Sequence, residues 1–227
     1  MFSITVLTTI LYNSVTQTDL QMGQFFSDSN KPTQEIVEEK KITMPYDVPL
    51  YSQIRDISWT KWQQKGCGVA DVAMLVNYYK PETTNVQAVL ENGIKSGAYV
   101  KNVGWSHDGL AKLASRYGLI GKVHAFWDYD RTTALSEFKK IIDEGPAIAS
   151  IHRNFDPKLS FGHLIVITGY DENFVYFNDP GKKDGIRTVS VSQFMNGWKR
   201  KLIVIRPIED KTEENNTTKT QLAFANN

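Results

Sequence analysis

The stretch Gly66-Cys67-Gly68-Val69-Ala70-Asp71-Val72-Ala73-Met74-Leu75 contains the single cysteine of this 227-residue chain. Apolar side chains recur through it and on to Tyr79 at steps of three and four residues, which predicts a helix with one apolar face. Because Pro81 disfavours helical geometry at the residue before it, the helix should end near Lys80. Cys67 would then lie at the N-terminus of the helix, where the helix dipole stabilises a thiolate.

The residues on either side of the cysteine allow two interpretations. Gly66 and Gly68 leave space for another group to approach the sulfur, as a nucleophile requires. A free cysteine, however, is often no more than a small buried hydrophobe. A catalytic cysteine needs a histidine and a carboxamide or carboxylate from elsewhere in the chain, so the remaining sequence has to supply them.

The composition limits the class of protein. A hydrophobic content of 41% over 227 residues is enough to bury one sizeable core. The formal net charge is +1 and no basic stripe is present, so no nucleic-acid partner is expected. One cysteine excludes an internal disulfide and a cysteine-rich zinc site, and no cofactor is expected.

The chain divides into four segments by composition. Residues 1–17 include the apolar stretch Phe2 to Tyr12, which is too short to span a bilayer and could be an atypical export signal or anchor, or a disordered or docking N-terminus. Residues 18–43 are polar and charged, as in a tether. Residues 44–208 should form the folded domain, and residues 209–227 a disordered tail. A secreted or cell-surface location is favoured over a cytoplasmic one.

Helical patterns come first along the domain and strand patterns follow, which favours an α+β fold over a parallel βαβ arrangement. After the cysteine helix, amphipathic periodicity predicts three more helices, over residues 85–96, 107–117 and 133–143. Apolar runs predict six strands, over residues 123–127, 147–152, 164–168, 174–178, 186–191 and 202–206, with a helical turn near residues 193–195.

Two of these strands are predicted to form a hairpin that carries a histidine and an aspartate. A five-residue turn centred on Asp171 would place His163 directly opposite Asp179, with Cβ atoms about 4.5–5.5 Å apart. Both residues lie at strand ends, where functional groups are often found. Alone, His163 would be a structural histidine and Asp179 part of an ordinary turn, but together with Cys67 they complete a triad.

Each member of such a triad has a defined chemical role. The imidazole takes the proton of the cysteine, and the carboxylate holds the imidazole in one tautomer. The oxyanion needs two donors, the backbone N–H of Cys67 and a side-chain amide. Three glutamines upstream can supply that amide: Gln53, Gln63 and Gln64. A metal site built from the same cysteine, histidine and aspartate is a weaker alternative, because no paired-ligand motif accompanies it.

Several motifs together resemble the bacteriocin-processing (double-glycine type) cysteine peptidases of the papain-like clan, and in particular their stand-alone relatives without the transporter. The motifs are Val48-Pro49-Leu50-Tyr51-Ser52-Gln53, Gly66-Cys67-Gly68, Gly104-Trp105-Ser106-His107-Asp108-Gly109-Leu110, Gly162-His163-Leu164-Ile165-Val166-Ile167-Thr168-Gly169-Tyr170-Asp171 and Asn178-Asp179-Pro180-Gly181.

The resemblance covers residues 48–207 and implies a papain-like fold, in which an N-terminal helical part that carries the cysteine packs on a C-terminal antiparallel sheet. It implies Cys67 as nucleophile, His163 as base and acid, Asp179 as orienting group and Gln53 as oxyanion donor, with Gln63 as the second choice. The classical peptidases have this glutamine only a few residues before the cysteine, a spacing that Gln63 matches better.

The function expected from the residues and the resemblance is a thiol-dependent peptidase that acts through a thioester on a peptide or protein substrate. Two alternatives remain open: an acyltransferase or amidase that uses the same thioester, and a non-catalytic peptide-binding module. A monomer without a stable membrane span is expected. Aromatic and aliphatic side chains flank the triad in sequence and could line a substrate groove or pack on the domain: Trp59, Trp62, Phe155, Leu159 and Phe161.

Overall fold

The structure of the chain, a computed structural model, describes residues 45–182 and 187–208. The predicted signal segment, tether and tail lie outside the described residues. The first half is mostly helical and consists of α1 (Thr60–Gln63), α2 (Cys67–Tyr79), α3 (Val86–Lys95), β1 (Tyr99–Val100), β2 (Gly104–Trp105) and α4 (His107–Leu113), which continues as a 3-10 turn (Ala114–Tyr117).

The second half supplies the main sheet. Its elements are β3 (Leu119–Ala125), α5 (Arg131–Asp143), β4 (Ala147–His152), β5 (Gly162–Tyr170), β6 (Phe174–Asn178), β7 (Arg187–Ser190), α6 (Val191–Gly197) and β8 (Trp198–Pro207). The six strands are ordered β3-β8-β4-β5-β6-β7, and every pair of neighbours is antiparallel. The α+β prediction is therefore confirmed.

Helix α2 begins at the cysteine and ends one residue before the predicted limit, but it is buried all round rather than on one face. Every residue from Gly68 to Asn77 is buried. A helix without a polar face belongs inside a protein, and α2 packs against the sheet as well as α3 and α4. The stretch that contains Cys67 is thus the central helix of the domain.

The sheet separates two apolar clusters. On one face, Ile148, Val166 and Ile203 pack against α2. On the other face, the cluster that contains Ile165 and Leu202 packs against α5 and α6. Alternate residues of each strand therefore enter different layers, as the period of two in a strand requires.

Side-chain caps account for most helix boundaries. Asn85, Ser106 and Asp130 each accept a hydrogen bond from a backbone N–H of the first turn of the helix that follows. Gly118 ends the 3-10 turn in a left-handed conformation with φ of 66°. Strand β3 begins immediately afterwards, four residues before its predicted start, because it pairs along its whole length with β8.

The predicted register of the hairpin is wrong. The turn is tighter than expected, Ile167 pairs with Phe177, and a bulge interrupts the ladder between Ile167 and Gly169. The pairing near the sheet end is consequently offset by two residues from the predicted one. Because this offset is even, His163 and Asp179 still share a face at the sheet end and face each other along a diagonal.

Candidate active site

Cys67 is the first residue of α2 and is partly exposed. Its helix has no side-chain N-cap hydrogen bond. The N–H groups of a first helical turn lack intrahelical partners, and they create a positive potential at this end. This position favours a negatively charged sulfur or a negatively charged oxygen bound beside it.

The glycines beside the cysteine serve packing rather than access to the sulfur. A Cβ at Gly66 would stand 2.1 Å from Ile57 Cδ1, and one at Gly68 would stand 2.6 Å from Leu110 Cδ1. Both distances are well inside van der Waals contact. The two glycines thus allow the loop before α2 and helix α4 to approach the first turn of α2, which carries Cys67, closely.

His163 and Asp179 form a direct ion-pair contact. The Nε2 atom of His163 lies 2.7 Å from Oδ1 of Asp179, and both side chains are largely buried. Burial lowers the pKa of His163, but the hydrogen bond to Asp179 and the interaction with Cys67 outweigh it and raise the pKa from 6.5 to about 10. Since Asp179 occupies Nε2, the Nδ1 atom is the one left to face the thiol.

Asp179 is held by the backbone that follows it. Its Oδ1 also accepts a hydrogen bond of 2.8 Å from the Gly181 N–H. Burial raises the pKa of Asp179, but the hydrogen bond and charge of His163 and the Gly181 N–H outweigh it and leave the pKa below its usual range. A Cβ on Gly181 would lie 3.7 Å from His163 Nε2 and Cε1, so the turn lies close to this edge of the ring.

Gln53 and Gln63, the two candidates for the oxyanion donor, contact each other. Gln53 is buried, and its Nε2 donates a hydrogen bond of 2.7 Å to the Gln63 carbonyl. The Gln63 side chain instead donates to the carbonyl of Ile57 at 2.9 Å. The Gln53 backbone N–H donates to the Pro180 carbonyl at 2.8 Å, which joins the loop before α2 to the turn that carries Asp179.

A second buried carboxyl group, that of Asp71, lies near the site and was not among the predicted residues. It lies one helical turn after Cys67, is 0% exposed, and neither of its oxygens has a hydrogen-bond partner among the described residues. Burial raises the pKa of Asp71 well above its usual range, and the electrostatic interaction with Cys67 adds to this effect. Its spacing of four residues from the cysteine was the available signal, since residues i and i+4 of a helix lie on one side.

A cleft of about 870 Å³ opens beside the cysteine and histidine. Of the flanking aromatic and aliphatic side chains considered above, only Phe161 lines it. Trp62 packs on Tyr99 and Trp105, which themselves line the cleft, whereas Phe155 packs on Phe177 in the layer beyond the sheet. His107, which was expected to begin a helix, does so and also lines the cleft.

Two other features, a metal-binding cluster and a membrane-spanning helix, are not found in the part of the chain that the structure describes. No group of three or more histidine, cysteine, aspartate or glutamate side chains in this part of the chain is arranged to hold a metal ion. No helix in residues 45–182 or 187–208 has the length and apolar character needed to span a membrane.

The fold, a cysteine-bearing central helix packed on an antiparallel sheet, matches that of C39 peptidase domains. The model of the Peptidase_C39-like family matches residues 45–201, and the chain belongs to this family. No curated protein matches the chain.

Two solved structures are similar in fold. A putative C39-like peptidase from Bacillus anthracis has 20% sequence identity and a TM-score of 0.58, over 75% of this chain and 100% of the other. A double glycine motif protease from an AMS/PCAT transporter, solved in complex with the leader peptide, has 22% identity and a TM-score of 0.52, over 74% of this chain and 100% of the other. Membership of the family supports a peptidase function in general terms.

Proposed function

We propose that the protein is a cysteine peptidase that cleaves peptide bonds through a triad of Cys67, His163 and Asp179. The observation that carries this proposal is the contact of 2.7 Å between His163 and Asp179, made beside the helix N-terminus on which Cys67 lies. A histidine held by a carboxylate at one nitrogen presents the other as a base of fixed tautomer. A cysteine at that nitrogen is an activated nucleophile.

The reaction proceeds in two steps. In the first, the Cys67 sulfur attacks the peptide carbonyl carbon, and the proton held by His163 passes to the leaving amine as the carbon–nitrogen bond breaks. In the second, a water molecule gives a proton to His163 and its oxygen attacks the thioester, which releases the carboxylic acid and the Cys67 thiolate. Asp179 remains ionised throughout and stabilises the imidazolium form of His163.

We infer that Gln53 is the side-chain oxyanion donor, and that Gln63 holds it in place. Gln53 is buried close to the cysteine turn, and one hydrogen of its amide is engaged by the Gln63 carbonyl. The other hydrogen is left to act with the Cys67 backbone N–H on a developing oxyanion. The Gln63 amide is engaged by Ile57 and is the weaker candidate.

The test is hydrolysis of a peptide library by the wild-type protein and by the variants Cys67→Ala and His163→Ala. Loss of cleavage in both variants, together with slower alkylation of Cys67 near neutral pH in His163→Ala, is the expected result. Cleavage that survives Cys67→Ala would refute the mechanism. Product analysis with added amines separates hydrolysis from acyl transfer, since only a transferase yields the new amide.

A further inference from the structure

The cleft beside Cys67 is lined on one side by basic residues of β8. Lys199 and Lys201 both line it, together with Lys65 at its edge, whereas Asp108 is the one acidic residue among its described lining. No carboxylate of residues 45–182 or 187–208 forms an ion pair with Lys199 or Lys201. The cleft therefore carries an excess of positive charge that the described part of the chain does not neutralise.

An irregularity of β8 contains Lys199, whereas Lys201 lies in the regular part of the strand. Ser150 of β4 pairs with Lys201, but the next residue, Ile151, pairs with Trp198, so Lys199 and Arg200 are extra residues on β8. Bulges of this kind re-aim side chains and often lie beside active sites. If the ladder continued in the register of Ser150 and Lys201, Ile151 would pair with Arg200 and His152 with Lys199.

The irregularity of β8 is held in place by hydrogen bonds to a neighbouring segment. Arg200 has a φ of 54°, a left-handed conformation that is unfavourable for a residue other than glycine. The Phe126 N–H donates to the Arg200 carbonyl at 2.9 Å, and Trp127 Nε1 donates to the Lys199 carbonyl at 3.3 Å. Both extra carbonyls are thus bound by the segment after β3. Backbone strain that the surrounding structure holds in place is typical of functional sites.

Each lysine has a defined place within the cleft. The Lys199 Nζ lies 3.6 Å from where a Cβ on Gly162 would stand, next to His163 in the chain. The Lys201 Nζ lies 4.4 Å from the centre of the Trp127 ring, a cation–π contact that restricts the position of this side chain. Burial lowers the pKa of His107 at the same wall, and the two lysine charges lower it further, whereas Asp108 raises it.

We propose that Lys199 and Lys201 form a subsite that binds a carboxylate side chain of the peptide substrate, so that the protein selects peptides with a glutamate or aspartate at one position near the reacting carbonyl. This inference rests on the proposed peptidase function for the place of the substrate, but not on turnover. Two ammonium groups without described ion-pair partners attract a carboxylate more than its amide counterpart. Because both lysines line the same cleft as Cys67, the preference should apply to one peptide position only.

The experiment measures binding separately from cleavage. The probes are pools of short, fluorescently labelled peptides of uncharged residues. In each pool one position holds either glutamate or glutamine, and the position differs from pool to pool. The fluorescence anisotropy of each pool is measured as the Cys67→Ala protein is added. At one position, glutamate pools should bind roughly fivefold more tightly than glutamine pools, as expected of a partly exposed ion pair. In the presence of a high salt concentration this ratio should fall.

Variants decide whether the lysines are responsible. In the Cys67→Ala protein, Lys199→Gln with Lys201→Gln should reduce the ratio to about one, since the pairing charges are gone. The matched control, Lys139→Gln with Lys140→Gln, removes two charges from α5 on the other face of the sheet and should retain the ratio.

Three results would overturn the subsite: equal binding of glutamate and glutamine pools, a glutamate preference that is equal at every position, or a ratio that survives the β8 double variant. Failure of the proposed function has a different signature. In that case the wild-type protein cleaves no pool, while the Cys67→Ala protein still shows the positional glutamate preference and its loss in the β8 variant.

Discussion

Replacement of Asp179 by asparagine tests the electrostatics of the proposed triad through stability alone. Asparagine retains an oxygen that accepts the hydrogen bond from His163 Nε2, at 2.7 Å in the wild type, but removes the negative charge. The wild-type interactions raise the pKa of His163 from 6.5 to about 10. At about 1.4 kcal/mol per pKa unit, this difference is worth at most about 5 kcal/mol of folding free energy.

Both Asp179 and Cys67 contribute to the raised pKa of His163, so the loss of Asp179 removes only part of this free energy. Loss of one charge-assisted hydrogen bond of this kind costs on the order of 2 kcal/mol, which we expect for Asp179→Asn. The direction with pH follows from linkage. A histidine whose folded pKa is raised contributes stability below its unfolded pKa of 6.5 and loses it as the pH rises through about 10. The difference between the two proteins should be largest at mildly acidic pH and vanish at strongly alkaline pH.

The assay is urea unfolding of both proteins at about pH 6, 8 and 10, which spans the titration of His163. The same pair in a Cys67→Ala background separates the contribution of the sulfur from that of the carboxylate. Asp128→Asn, which removes an exposed carboxylate, is the matched control and should change stability little at any pH. An Asp179→Asn effect of constant size across this range would refute the assignment of the raised pKa to the carboxylate.

Three further predictions follow from other residues. Asp71→Asn should become more stable relative to the wild type as the pH rises from about 4, because a buried carboxyl with a raised pKa binds a proton more tightly in the folded state. A stability difference that does not change with pH in urea unfolding would contradict this. Gly121→Ala should lower the melting temperature by several degrees, since its Cβ would stand 2.1 Å from the Ala111 carbonyl oxygen. The comparison variant is Gly104→Ala, whose Cβ would have nothing within 4 Å but whose φ is 112°. It should show only the cost of a left-handed backbone conformation for a residue other than glycine. Asn77→Ala should lower the free energy of unfolding by about 2–4 kcal/mol, because its side chain makes one hydrogen bond to the Tyr51 hydroxyl and three to the backbone of Thr83 and Thr84 after α2. An effect below about 0.5 kcal/mol in urea unfolding would refute that role.

Much of the domain could be derived from local sequence. The start of α2 at Cys67 and its end before Pro81 follow from periodicity and from the steric effect of proline, both of which act within a few residues. Strand β4 has its predicted bounds, Ala147–His152, because Gly145-Pro146 ends the preceding helix and the run after it is apolar. Such signals need no knowledge of the partner strand.

The sequence by itself determined the elements, their order and the residue types available for a nucleophile, a base and an orienting carboxylate. Tertiary structure decided how these residues meet: the bulge that offsets β5 from β6, the contact between Gln53 and Gln63, the burial of Asp71 and the turn of Lys199 towards the cleft. The physical reason is the separation along the chain over which each effect acts. Helix and turn preferences act between neighbours, whereas register, burial and the electrostatic environment depend on residues that only folding brings together.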